Sequence, residues 1–184
     1  MNNHFLYTLT TLFLLQAIII IAQPLRKPDK LDKKKGFHWT TLTIIVCQTL
    51  MIITCLLDTF LNPKTTNYLN LIGLALVLIS LILTYASLND LGESYSLKIK
   101  VKKGQKLVTT GTYKYIRNPM DLASLLFMAG LPLFSSSLIS ISFLFPFIPI
   151  MIAKINFEEK LLSKQLKGYK EYMKKTKRLI PYIY

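Results

Sequence analysis

The sequence has few of the residues that build metal centres and disulfide frameworks. Among its 184 residues there are 2 cysteines and 2 histidines. Cys47 and Cys55 both lie within one apolar run, where free cysteines usually act as small packing residues. His4 and His38 are far apart in the chain, and no ligand spacing surrounds either of them. The residues therefore predict no disulfide and no metal site.

Acidic residues are scarce as well. The chain carries 9 acidic and 23 basic residues, which gives a formal net charge of +14. In a soluble protein an excess of this size would indicate binding to nucleic acid. No platform of interleaved aromatic and basic residues is present, however, and the Gly-x-Gly-x-x-Gly fingerprint of dinucleotide-binding domains is absent. We therefore expect no nucleic acid partner and no Rossmann domain.

The sequence contains many long apolar runs. The hydrocarbon core of a bilayer is about 30 Å thick and needs roughly 20 mostly apolar residues per helix. The sequence predicts a single all-α integral membrane domain over residues 1–184, with transmembrane helices at residues 5–23, 39–61, 68–88, 120–134 and 138–156. Because the first run lacks a basic leader and a small-residue cleavage site, we interpret it as a mature span and not as a signal peptide. The last two runs are short and form a predicted hairpin around Ser135–Ser137.

The basic residues are distributed very unevenly around these five predicted spans. Six lie between the first and second spans, seven between the third and fourth, and nine from Lys154 at the end of the fifth span to Arg178, whereas Lys64 alone lies on the opposite side. By the positive-inside rule the basic face is cytoplasmic, with the N-terminus outside and the C-terminus inside. The same charges predict attraction to anionic lipid headgroups.

Two polar segments, residues 89–119 and 154–184, fall on the predicted cytoplasmic side at the two ends of the hairpin. A short hairpin brings its ends together, so Asp121 is expected near Lys154, Glu158 and Glu159 at the membrane surface. Charge at that depth is costly unless it is paired or hydrated, which makes these residues functional candidates. We predict extended structure or a short hairpin over residues 98–112 and an amphipathic helix over residues 158–175, with a bend at Gly168.

The first of these segments resembles a known family. Residues 107–119, which include Gly111, Tyr113, Arg117 and Pro119, resemble the LVTxGxYxxxRHP segment of the isoprenylcysteine carboxyl methyltransferases and their phospholipid-methyltransferase relatives. Residues 158–181 are similar to the EExxL…GYxxY…RxIP run of the same family. The order, the spacing and the membrane context of the two segments agree with the family.

This resemblance implies an S-adenosylmethionine-dependent methyltransferase with its active site at the boundary between membrane and cytosol. It also implies a set of cofactor-binding residues, namely Gln105, Lys106, Leu107, Val108, Tyr113, Asn118, Pro119, Met120, Asp121 and Glu158. The catalytic candidates are Lys154, Glu159 and Arg117, of which Lys154 stands where the family has an arginine that orients the substrate.

The sequence departs from the family pattern at three positions. Asn118 replaces the histidine of the RHP motif, Asp121 replaces a tyrosine, and Lys154 replaces the substrate arginine. A lysine offers a point charge where an arginine offers a bidentate clamp for a carboxylate. The resemblance implies a prenylcysteine-type carboxylate as methyl acceptor, on a membrane lipid or a prenylated small molecule or protein. Alternatives are a phospholipid amine or a thiol acceptor, or a non-catalytic scaffold or lipid-binding protein.

Overall fold

The computed structural model describes residues 39–62, 67–94 and 107–180, and within these ranges the regular structure is helical. Six α-helices follow one another: α1 (Trp39–Leu61), α2 (Tyr68–Leu91), α3 (Pro119–Ser135), α4 (Leu138–Ile141), α5 (Leu144–Gln165) and α6 (Tyr169–Lys175). Short 3₁₀ helices cover Gly92–Ser94 and Gly111–Lys114. The predicted first span, residues 5–23, lies outside the described residues.

The helix boundaries predicted for the second, third and fourth spans agree with α1, α2 and α3 to within a few residues. Three stretches are long and apolar enough to cross a membrane, namely Leu42–Leu61, Tyr68–Leu91 and Leu138–Gln165. The chain is therefore an integral membrane protein. The shorter α3 has 17 residues and a length of about 26 Å, so a count of five spans stays a prediction.

The predicted fifth span, residues 138–156, is interrupted near its beginning. The helix breaks at Ser142 and Phe143, between α4 and α5. Pro146 lies four residues after Ser142; it has no N–H for the Ser142 carbonyl, and its ring clashes with that carbonyl in a regular helix. Two other prolines lie within helices of the hairpin, Pro132 in α3 and Pro149 in α5. The break therefore falls one turn before the first proline of α5.

The amphipathic helix predicted over residues 158–175 is not a separate element, and this prediction was wrong. Its first half continues α5 as far as Gln165. The chain then turns through Leu166–Gly168 before α6 begins, and Gly168 has a φ of 84°, which an L side chain rarely adopts. The predicted bend at Gly168 is confirmed. Extended structure was also predicted as far as Thr112, but Gly111–Lys114 is a 3₁₀ helix.

Helices α2 and α3 cross in close contact because both carry glycine at the crossing. A Cβ atom added to Gly73 would lie 2.2 Å from the backbone nitrogen of Phe134, and one added to Gly130 would lie 2.9 Å from the carbonyl oxygen of Gly73. Beside the crossing, the amide of Asn70 donates to the carbonyl of Phe134 at 2.6 Å and thereby caps the end of α3. Small residues that let backbones approach are typical of helix contacts in membranes.

Replacing Gly73 by alanine is expected to destabilise the protein, because the new methyl group meets backbone atoms of α3 that cannot rotate away. Overpacking of this kind costs about 1–3 kcal/mol, and more where backbone must move. We expect a lower thermal midpoint when the helical circular dichroism of detergent-purified protein is followed on heating. The variant Ala75→Leu, at an exposed position of the same helix, is the control. Equal midpoints for Gly73→Ala and the wild type would contradict the close crossing.

Candidate active site

Three charged side chains meet where α3 begins and where α5 leaves its apolar stretch. The ammonium of Lys154 lies 2.8 Å from Oδ1 of Asp121 and 2.8 Å from Oε1 of Glu158. Asp121 is in the first turn of α3, and Glu158 follows Lys154 by one turn of α5. The expected meeting of the two ends of the hairpin is confirmed. We call these three residues the charged cluster.

The charged cluster has an excess of negative charge, because one ammonium lies between two carboxylates. Its side chains are only partly exposed, 15% for Lys154 and 11% for Asp121. Among the described residues Asp121 is hydrogen-bonded through one oxygen, to Lys154. With respect to these residues, the other oxygen has no partner and is available to a ligand. A weakly hydrated site of this charge favours a cationic ligand.

Glu159 points away from the charged cluster, since adjacent residues of a helix differ in direction by about 100°. It is 2% exposed and lies between two arginines. Nε of Arg117 donates to one carboxylate oxygen at 2.8 Å, and Nη2 of Arg178 donates to the other at 2.8 Å. The amide of Asn118 also donates to the first oxygen, at 3.1 Å.

These contacts hold a segment that follows α6 against the segment that precedes α3. We call Thr176–Ile180 the C-terminal strap. Ile116 and Lys177 form a parallel β-bridge. The backbone N–H groups of Arg117 and Asn118 donate to the carbonyls of Lys177 and Arg178, at 2.8 and 3.1 Å. Nη1 of Arg117 donates to the carbonyls of Met173 and Thr176. Arg117 and Glu159 thus join the strap to α5, an arrangement that favours a positioning role for both, while their predicted catalytic roles stay predictions.

Tyr113 lies on the 3₁₀ helix Gly111–Lys114, which is fixed from two sides. Oδ2 of Asp90, at the end of α2, accepts from both the backbone nitrogen and the hydroxyl of Thr112, each at 2.7 Å. The hydroxyl of Tyr172 on α6 donates to the carbonyl of Tyr113 at 2.6 Å. Burial raises the pKa of Tyr172 to about 12, so this hydroxyl remains a donor over the whole range in which proteins function.

Asp90 and Arg178 were not among the candidates from the sequence, although Asp90 carries a detectable signal. A carboxylate near the C-terminal end of a helix opposes the helix dipole, so its presence indicates a specific donor elsewhere. Arg178 belongs to the RxIP part of the family motif, but nothing in the sequence shows that it binds the same carboxylate as Arg117.

The remaining predicted cofactor residues are distributed around the charged cluster and the 3₁₀ helix. Pro119 and Met120 begin α3, directly before Asp121. Asn118 and Tyr113 are buried, whereas Leu107 and Val108 are half-buried in the stretch that leads to the 3₁₀ helix. Gln105 and Lys106 lie outside the described residues. No contact in the structure tests which of these residues bind a cofactor, so these assignments stay predictions.

A family model and a solved structure are similar to this chain. The model of the phospholipid methyltransferase family matches residues 69–168, more than half of the sequence. The chain belongs to the phospholipid methyltransferase family. The matched region contains the 3₁₀ helix and the whole charged cluster. The chain is thus an integral membrane member of this family.

The fold agrees with this family assignment. A solved eukaryotic intramembrane Ras methyltransferase, an isoprenylcysteine carboxyl methyltransferase, is similar to the chain with a TM-score of 0.66 and 18% sequence identity. The similarity covers 92% of this chain and 64% of that one, so the chain spans under two thirds of its length. At this identity the likeness shows the fold alone. Comparison with curated protein sequences gives no match.

Proposed function

We propose that this family member transfers a methyl group from S-adenosylmethionine to an acceptor held in the membrane. The observation that carries the proposal is the charged cluster, which lies inside the region matched by the family model. Its excess negative charge and partial burial fit a ligand that is positively charged at sulfur. The cluster also lies beside the buried Tyr113 segment, as expected for a pocket that excludes water.

Different residues of the chain would bind different parts of S-adenosylmethionine. Glu158 and Asp121 would hold the charged part of S-adenosylmethionine, and the segments containing Tyr113 and Asn118 would enclose the rest. When bound, the cofactor supplies a methyl group activated by its sulfonium. Methyl transfer is an in-line displacement, so the protein has mainly to align the acceptor with the methyl group and to keep water away.

The ion pairs of Lys154 favour an amine as the methyl acceptor. The resemblance of the sequence implied a prenylcysteine carboxylate oriented by this lysine, but its ammonium already lies between Asp121 and Glu158. A carboxylate acceptor would therefore enter a region of excess negative charge. A phospholipid amine would instead find, in the free oxygen of Asp121, an acceptor for the proton that it must lose. The prenylcysteine carboxylate remains the second candidate, consistent with the fold of the solved relative.

The location of this site follows from the distribution of charge. We propose that the charged cluster and the C-terminal strap lie at the cytoplasmic surface, because the basic residues are concentrated in the segments on that side. The acceptor, bound to a lipid, would then reach the site laterally from the bilayer.

Cofactor binding tests this proposal directly. Isothermal titration calorimetry of detergent-purified protein with S-adenosylmethionine is expected to give micromolar affinity. Glu158→Ala is expected to weaken it at least about tenfold, the effect of losing a hydrogen bond to a charged group. Glu171→Ala, which removes an exposed carboxylate paired with Lys174, is the control.

The acceptor is identified next, by transfer of a labelled methyl group to vesicles that contain phosphatidylethanolamine or to farnesylated cysteine. Labelling of the amine lipid alone would support the acceptor inferred here, and labelling of farnesylcysteine alone would support the second candidate. A folded wild-type protein that binds no S-adenosylmethionine would favour a non-catalytic scaffold or lipid-binding protein.

A further inference from the structure

A basic cleft lies at the turn between α5 and α6, apart from the charged cluster. It has a volume of about 380 Å³, within the size range of ligand sites, and is lined by residues 163–168, 170 and 171. Three lysines line it: Lys164, Lys167 and Lys170. We call these residues and the turn between them the lysine cleft.

The positive charge of the lysine cleft is not neutralised by the described residues. None of its three lysines forms an ion pair with them, whereas the one carboxylate of the lining, Glu171, is paired with Lys174 at 3.0 Å. By contrast, Lys154, Arg117 and Arg178 are all committed to carboxylates. Three ammonium groups around one cleft repel each other, and an anion bound between them removes that repulsion.

The lysine cleft lies at the same end of α5 as the charged cluster. Lys154 and Glu158 precede Gln165 by about two to three turns of the helix, and Gln165 lines the cleft. The cleft is therefore on the side of the membrane on which the basic residues of the sequence are concentrated. Anionic headgroups of that leaflet attract lysines close to the membrane surface.

The lysine cleft is also connected to the candidate active site. A Cβ atom on Gly168 would be in contact with the side chain of Leu107, at 3.7 Å, and Leu107 begins the stretch that leads to the 3₁₀ helix. On the other wall, α6 carries Tyr172, whose hydroxyl donates to the carbonyl of Tyr113. An anion that fixes the turn between α5 and α6 would thus fix two supports of the Tyr113 segment.

We propose that the lysine cleft is a binding site for a phosphate-bearing anion, such as the headgroup of an anionic phospholipid, separate from the site of methyl transfer. The chemistry it recognises is a phosphate group with net negative charge, on a lipid or in solution. This proposal does not rest on the proposed methyl transfer, because binding is measured without S-adenosylmethionine or acceptor.

The test is the affinity of purified full-length protein in a neutral detergent for dioctanoyl phosphatidic acid, measured by microscale thermophoresis. The variant Lys164→Gln/Lys167→Gln/Lys170→Gln is expected to bind on the order of one hundredfold more weakly. The matched control Lys160→Gln/Lys175→Gln/Lys177→Gln loses the same net charge at exposed positions outside the cleft and is expected to bind within about twofold of wild type. If the triple variant does not fold, Lys164→Gln alone is measured instead, and its affinity is expected to be about fivefold lower than that of the wild type.

Two further ligands distinguish the sources of the phosphate. Glycerol 3-phosphate binding as tightly as the lipid would support a soluble anion, and binding of the lipid alone would support a headgroup. Dioctanoyl phosphatidylcholine is expected to bind weakly, because its phosphate is balanced by a quaternary amine. The proposal is overturned if both triple variants lose affinity equally, if neither loses it, or if phosphatidylcholine binds as tightly as phosphatidic acid.

Discussion

Replacing Glu159 by alanine is expected to lower the free energy of unfolding by about 3–5 kcal/mol, the usual cost of removing one partner from a buried ion pair. The carboxylate is 2% exposed, and its two oxygens receive hydrogen bonds from Arg117, Arg178 and Asn118. Without it, the two guanidinium groups lose the carboxylate that lies between them and separates their charges. The C-terminal strap then loses its link to α5. Reversible unfolding in mixed micelles, followed by circular dichroism, measures the loss.

Two further variants separate the charge of Glu159 from its packing. Glu159→Gln keeps the shape and one acceptor oxygen, but its NH₂ group faces an arginine, so we expect a smaller destabilisation than for alanine. Glu171→Ala removes an exposed carboxylate whose ion pair is accessible to water, and its effect is expected to be small. A wild-type stability for Glu159→Ala would show that the two arginines do not depend on this carboxylate.

The second large effect is expected on catalysis. Asp121→Asn is expected to lower kcat for an amine acceptor by about 10²–10⁴-fold, the usual contribution of a positioned general base. The asparagine keeps the size of the side chain and leaves Lys154 paired with Glu158. It cannot take the proton from the acceptor nitrogen. The KM for S-adenosylmethionine is expected to rise as well, because Asp121 also helps to hold the cofactor, so kcat is measured by steady-state kinetics at saturating S-adenosylmethionine.

The acceptor decides how this result is interpreted. A carboxylate is already a nucleophile and needs no base, so Asp121→Asn would leave methylation of farnesylcysteine within about tenfold of wild type. The control Glu171→Gln makes the same chemical change at an exposed position and is expected to leave kcat unchanged. If Asp121→Asn has an unaltered kcat with an amine acceptor, Asp121 is not the general base.

Much of the helical frame could be predicted from the sequence because apolar runs of membrane length have few alternative structures. The second, third and fourth predicted spans agree closely with α1–α3 for this reason. The sequence contains Pro146, which cannot be accommodated in a regular helix next to the carbonyl of Ser142. It does not show at which residue the helix breaks to avoid this clash. The end of α5 was misjudged because apolar periodicity continues through Leu161 and Leu162 without a boundary at the membrane surface.

The charged cluster was foreseeable because a tight hairpin must bring its two ends together, and Asp121, Lys154 and Glu158 lie at those ends. The partners of Glu159 were not, since they come from segments 42 and 19 residues away along the chain. Sequence spacing gives no measure of such contacts. The same applies to Asp90, whose partner Thr112 is 22 residues away along the chain.

The parallel bridge between Ile116 and Lys177 has a consequence for the order of biosynthesis. The strap residues follow every described helix in the chain, so α1–α6 are synthesised before Lys177 and Arg178. Until then Glu159 lacks its hydrogen bonds from Arg178, and the N–H groups of Arg117 and Asn118 lack the carbonyls of Lys177 and Arg178. Contacts between residues so distant in sequence form late, because the intervening chain must first be ordered. Insertion into the bilayer and completion of the site are thus separate events, and a nascent chain can be fully inserted while its site is still open.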